Sequence, residues 1–145
     1  MIQHNKWRVV DSKNIADINI EIYGKNEEDL FKNILQAFTE VITKIDSIKE
    51  KEELSLKITG KNLEELILNF IDQLIYLKDA SFMLFRNGKF KLMFTKEGYS
   101  LFALLTGQKI TNGLPIKTDI KALTLHKFKV VKLKNKFKVS LVFDI

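Results

Sequence analysis

Two acidic groups close the chain side by side, the side chain of Asp144 and the α-carboxylate of Ile145. Residues 137–145 alternate strictly. Phe137, Val139, Leu141, Phe143 and Ile145 share one parity, and Lys138, Ser140, Val142 and Asp144 the other. That pattern describes a half-buried strand and not the usual frayed end. Two anions held rigidly together either repel, shifting their pKa values, or share a cation. Sharing requires a further oxygen ligand. Asp17, at the mouth of an earlier strand, is a candidate, set against the plainer reading of a solvated loop-end carboxylate, because Asp is mostly exposed in folded proteins.

Three more residues invite chemistry. Asp72 falls between Phe70 and Leu74 on the polar side of a helical pattern, which suits a solvent-facing acid. Lys121 follows Asp119 by two residues, on one face of a strand-like stretch. A lysine near carboxylates stays protonated, so it would act as a fixed positive charge and not as a base; a lysine guarding a sheet edge against aggregation fits equally well. His126 reads as a structural hydrogen-bonding residue. Without cysteine, no Cys nucleophile, thiolate zinc site or disulfide can be built, and around His4 and His126 no Ser-His-Asp constellation is legible. No GxxxxGK[ST] phosphate loop occurs either.

The 145 residues suffice for one domain with a proper core, expected to span 1–145, and 46% hydrophobic with 29% charged residues is a globular balance. No stretch is long enough to cross a bilayer and the first residues lack a signal-peptide core, so the expected location is cytoplasmic, without membrane. The net charge of +6 is almost all lysine, with only Arg8 and Arg86. Such a charge permits an RNA neighbour, but bidentate base or phosphate readout leans on Arg. Lys127, Lys129, Lys132, Lys134, Lys136 and Lys138 crowd the last hairpin, where solvation of a sheet edge explains them as well as RNA contact does. Aromatic stacking platforms on the same face are not expected there.

The elements that must position these groups follow from the hydrophobic period. Strands are expected at 7–10, 18–23 and 54–59. Asn26 is an N-cap and Gly60-Lys61-Asn62 opens a second helix, each with acids in the turn that follows. The stripes Leu30, Phe31, Ile34, Leu35, Phe38, Val41, Ile42, Ile45 and Leu66, Ile67, Phe70, Ile71, Leu74, Ile75 mark two helices. Gly24-Lys25-Asn26 returns as Gly60-Lys61-Asn62, 36 residues on (24 to 60), with strand parity and helix stripe at the same offset. This is the mark of an internal duplication, although Gly-Lys-Asn is also a common strand-to-helix connection. Asn87-Gly88 predicts a hairpin between 80–85 and 90–94. Further strands are expected at 99–105, 116–125, 128–133 and the C-terminal run, with a loop at 106–115. The expectation is an α+β fold, an antiparallel or mixed sheet with two helices packed on it.

Several fragments resemble one family in its own order. Lys121-Ala122-Leu123-Thr124-Leu125-His126 resembles the Lys-Ala-hydrophobic-Thr-Tyr-His stretch of the archease family, and Phe143-Asp144-Ile145 its Asp-Ile or Asp-Val terminus. Ala16-Asp17 is similar to the end of its His-Thr-Ala-Asp motif, and Phe70-Ile71-Asp72 to its Phe-Leu-Asp segment. Asn14-Ile15 stands where the family has His-Thr, Gln73 replaces a Glu, and Asp119-Ile120 replaces Glu-Val. The resemblance implies metal ligands at Asp17, Asp144 and a main-chain oxygen of Ile145, with Lys121 implicated in activity and Asp72 as a further charged residue. These are hard oxygens, so the implied cofactor is a divalent cation, Ca²⁺ foremost, with Mg²⁺ or Mn²⁺ as alternatives, and no nucleotide of its own. It implies an activator, not a catalyst: a partner of an RtcB-type RNA ligase in tRNA splicing and RNA repair, promoting guanylylation and multiple turnover, with RNA met through the ligase. Residues added after Ile145 are then expected to harm function. A lysine-rich RNA-binding or chaperone-like module for RNA-modifying enzymes is the alternative, and a metal-dependent hydrolase a more distant one.

Overall fold

The computed structural model describes residues 6–10, 15–125 and 128–145. In chain order the elements are β1 (Trp7–Val10), β2 (Asp17–Gly24), α1 (Glu27–Ile42), a 3₁₀ turn (Ile45–Ser47), β3 (Glu52–Gly60) and α2 (Leu63–Ser81). β4 (Met83–Thr95), β5 (Gly98–Lys109), β6 (Ala122–Thr124), β7 (Val130–Lys132) and β8 (Phe137–Asp144) complete the chain. The fold is α+β as expected, but the strands form two antiparallel sheets. One runs β1-β2-β8-β6, with β7 also paired to β8; the other is β3-β5-β4. Phe31 of α1 and Phe70 of α2 meet edge to face at 5.5 Å, and Phe90 of β4 closes the cluster 5.7 Å from Phe70. Both helices therefore bury their stripes in one continuous core.

The duplication holds atom by atom. Asn26 Oδ1 accepts the Asp29 N–H at 2.8 Å and Asn62 Oδ1 that of Glu65 at 2.8 Å. Asp29 and Glu65 reach back to the N–H groups of Lys25 and Lys61, the residues before the caps, a reciprocal arrangement like a capping box shifted by one residue in each copy. Asn33 and Asn69 donate to the carbonyls of Tyr23 and Thr59. Gly24 and Gly60 are both required. A Cβ on Gly24 would lie 2.4 Å from the backbone N of Leu30, and one on Gly60 2.6 Å from that of Leu66.

A second offset, of 38 residues, relates the hairpins β4–β5 and β7–β8. The N–H of Leu92 donates to Glu28, and that of Val130 to Glu64, both at 2.9 Å. Tyr99 pairs with Gly60 and Phe137 with Gly24. Each helix thus caps an edge strand of the sheet that its own strand does not join.

Three expectations fail locally. Asn87-Gly88 is not a turn: β4 runs through it with a bulge between Phe85 and Asn87, still paired to β5. A two-residue turn of that type needs positive φ at both central residues, and among the described residues only Phe82 and Gly98 have it. The carbonyls of Phe85 and Arg86 are taken by Thr39 and Gln36 of α1, which holds the bulge straight. The hairpin turns instead at Lys96-Glu97, flanked by the Thr95–Gly98 pair. β5 continues to Lys109, inside the expected loop. The expected strand 116–125 shrinks to β6, preceded by a bridge between Ile116 and Thr43, and 128–133 to β7.

Candidate functional site

The end of β8 is gripped from both sides. Asp144 is the cross-strand partner of Asp17 in β2 and of Ala122 in β6. Lys121 N–H donates to Asp144 C=O at 2.8 Å, and Ile145 N–H to Ala16 C=O at 2.9 Å. Ile18 and Phe143, one step inward, are partners of opposite parity, and Phe143 is wholly buried. Directly opposed residues share a face, so Asp17 and Asp144 stand together on the face turned away from the core. The strand pattern places them there because Phe143 must go inside. Asp17, Asp144 and Ile145 are thus neighbours. Among the described residues no group of three His, Cys, Asp or Glu side chains is placed to hold a metal. An ion bound here would take its third protein ligand from the main chain, and hard oxygen donors of this kind suit Ca²⁺ or Mg²⁺.

Lys121 lies beside this cluster through its backbone, and its side chain is exposed. The expectation that it shares a strand face with Asp119 is corrected, because both precede β6 in irregular chain. Asp119 turns instead to Lys78, 2.7 Å away, which also contacts Asp79. Lys78 is 5% exposed. Burial by itself lowers its pKa, but hydrogen bonds from its ammonium to Asp119 and Asp79 outweigh that and raise it. Sequence reasoning missed this residue, although Lys78 continues the α2 stripe of 67, 70, 71, 74 and 77. Asp72 is exposed on α2 as expected, and partial burial pushes its carboxyl above the usual carboxylate value. His4, Asn14, His126 and Lys127 lie outside the described residues.

The lysine-rich hairpin also departs from expectation, since it does have aromatic neighbours. Lys132 sits over the Phe137 ring and Lys136 over Tyr23, at 5.7 and 4.5 Å. Lys138 is 3.6 Å from Glu21, whose pKa is lowered chiefly by the hydrogen bond from Arg8 at 2.6 Å. These rings carry their own cations and are not open stacking platforms.

Two antiparallel sheets sandwiching paired helices, with a terminal strand whose end meets the mouth of β2, define the class. The solution structure of Methanobacterium thermoautotrophicum Protein 1598 shares the fold with a TM-score of 0.80 at 24% identity, covering 96% of this chain and 98% of that one. The model of the Archease protein family (MTH1598/TM1083) matches residues 7–145. Protein archease of Pyrococcus abyssi is 33% identical over 132 residues, covering 90% of this chain and 93% of the relative. That of Sulfurisphaera tokodaii is 33% identical over 131 residues with the same coverage. The chain belongs to the archease family.

Proposed function

We propose that this protein is an activator of an RtcB-type RNA ligase and not itself a catalyst, promoting guanylylation and repeated turnover in tRNA splicing and RNA repair. The observation that carries the reading is the register of Asp17 against Asp144 beside the clamped main chain of Ile145. Asp17, Asp144 and a main-chain oxygen of Ile145 would hold a divalent cation, with water or a ligase oxygen filling the rest of a shell of roughly six to eight. Bound there, the cation would supply positive charge for developing negative charge on phosphoryl oxygens. The protein's own task is positional. β2, β6 and β8 hold the carboxylates against solvent reorganisation, and Lys121 adds a fixed ammonium at the same edge. Family membership supports the ligase assignment, and Asp72 is the further charge through which the exposed side of α2 could meet the partner. Multiple-turnover ligation with and without this protein tests the proposal, using Asp17→Ala, Asp144→Ala and Lys121→Ala. Loss of stimulation is expected in each, and full stimulation by all three contradicts it.

A further inference from the structure

The duplication is broken at one place, and a cleft opens there. In the second copy the β4–β5 turn closes onto the strand–helix junction: Gly98 has φ +120°, and a Cβ on it would lie 2.5 Å from the carbonyl oxygen of Gly60. The matching position in the β7–β8 turn is Lys136, 38 residues on (98 to 136). Lys136 carries a side chain that a contact like that of Gly98 excludes, and a cleft of about 600 Å³ lies here, lined by Gly24 on one side and Asn135 and Lys136 on the other.

Lys6, Lys25 and Lys136 line this cleft with Asp29 and Tyr23. Asp29 is already committed to the Lys25 N–H, Lys6 Nζ donates to Gln36, and Lys136 rests on the Tyr23 ring. Asn33, also lining the cleft, is 3% exposed. Its Nδ2 donates to Tyr23 C=O at 2.7 Å, which leaves Oδ1 buried and without a hydrogen-bond partner among the described residues. A buried acceptor left unpaired carries its full desolvation cost. Its counterpart Asn69 is only half-buried and shows no such defect.

We propose that this cleft binds a phosphate monoester whose carrier also offers a hydroxyl or amine, as sugar phosphates and nucleoside monophosphates do. Three ammonium groups against one occupied carboxylate select a multiply charged anion, and phosphate presents three strong acceptor oxygens to them. The Asn33 carbonyl accepts only from a donor; a sugar hydroxyl can reach it while the phosphoryl oxygens stay on the lysines, whereas the P–OH of inorganic phosphate cannot serve both at once. Lys136 rests on a ring face, with no ion pair among the described residues, so its ammonium is available to the anion.

The test is a ¹⁵N-NMR titration of the whole protein with inorganic phosphate, ribose 5-phosphate and adenosine 5′-monophosphate. Saturable shifts are expected at Lys25 with all three probes and at the Asn33 side-chain amide with the two sugar phosphates alone, which should bind about tenfold more tightly than phosphate, the scale of one buried hydrogen bond. Lys136→Gln should weaken all three probes, and Asn33→Leu should erase the preference for the sugar phosphates. Should Asn33→Leu fail to fold, the wild-type Asn33 amide decides, shifting with ribose 5-phosphate and not with phosphate. Absence of saturable shifts, equal affinity for phosphate and ribose 5-phosphate, or unchanged binding by Lys136→Gln overturns the proposal.

Discussion

Asp144→Asn should reverse its effect on stability according to whether a divalent cation is present. Asp17 and Asp144 are direct cross-strand partners, a geometry that sets Cβ atoms roughly 5 Å apart. Two like charges at about 5 Å repel by ~0.8 kcal/mol at the dielectric of water, within the ~0.2–1 kcal/mol typical of opposed charged pairs. In EDTA the variant should therefore be more stable than wild type by about 0.5 kcal/mol, a rise in Tm of roughly 2 °C. With CaCl₂ at about one hundred times its dissociation constant, wild type gains ~2.7 kcal/mol from binding to the folded state alone, or roughly 8–10 °C. The variant, short of a ligand, should lose most of that gain and fall below wild type. Scanning calorimetry of both proteins in both buffers reads the crossover. A variant less stable than wild type in EDTA and equally stabilised by calcium would refute the reasoning.

Four other perturbations follow. Gly24→Ala and Gly60→Ala drive a Cβ into helix backbone and should each cost about 2–4 kcal/mol in urea titrations, whereas Gly113→Ala, with nothing within 4 Å, should be silent. Glu21 has a lowered pKa, chiefly through Arg8, so its contribution is present above the unfolded carboxyl value near 4.3 and is lost as pH falls through the lower folded value. Glu21→Gln should flatten that acid limb of the stability curve. Asp72 has a raised pKa, so its penalty grows as pH rises through the carboxylate range. Asp72→Asn should leave the protein at least as stable at neutral pH by calorimetry, and reduced ligase stimulation by such a sound protein would assign the loss to the partner surface. Asp119→Asn removes one of two carboxylates on the buried Lys78 and should cost about 1–2 kcal/mol by thermal melting.

The parts of this molecule that were legible in its sequence are those whose causes are local. The two Asn caps, their acidic first turns and the glycines before them predict the strand–helix junctions because each interaction closes within ten residues. Strict alternation at 137–145 places Asp144 opposite to Phe143, and hence on the outer face, before any partner is known. What stayed hidden depends on distant partners. Nothing near Asn87-Gly88 shows that Thr39 and Gln36, some fifty residues earlier, take the bulge carbonyls and keep β4 straight. The split into two sheets likewise rests on which strand each hairpin joins. The Lys78–Asp119 pair spans 41 positions (78 to 119), and its trace in the sequence is a lysine sitting in an otherwise apolar stripe.

The most direct test of the central claim is the rate of ligase guanylylation by an RtcB-type ligase with this protein added, in wild-type form and as Asp17→Ala/Asp144→Ala. The account predicts clear stimulation by the wild type, at substoichiometric amounts and in the presence of a divalent cation, and none by the double variant once calorimetry has shown that it is folded. Equal stimulation by the two, or none by the wild type, would contradict it.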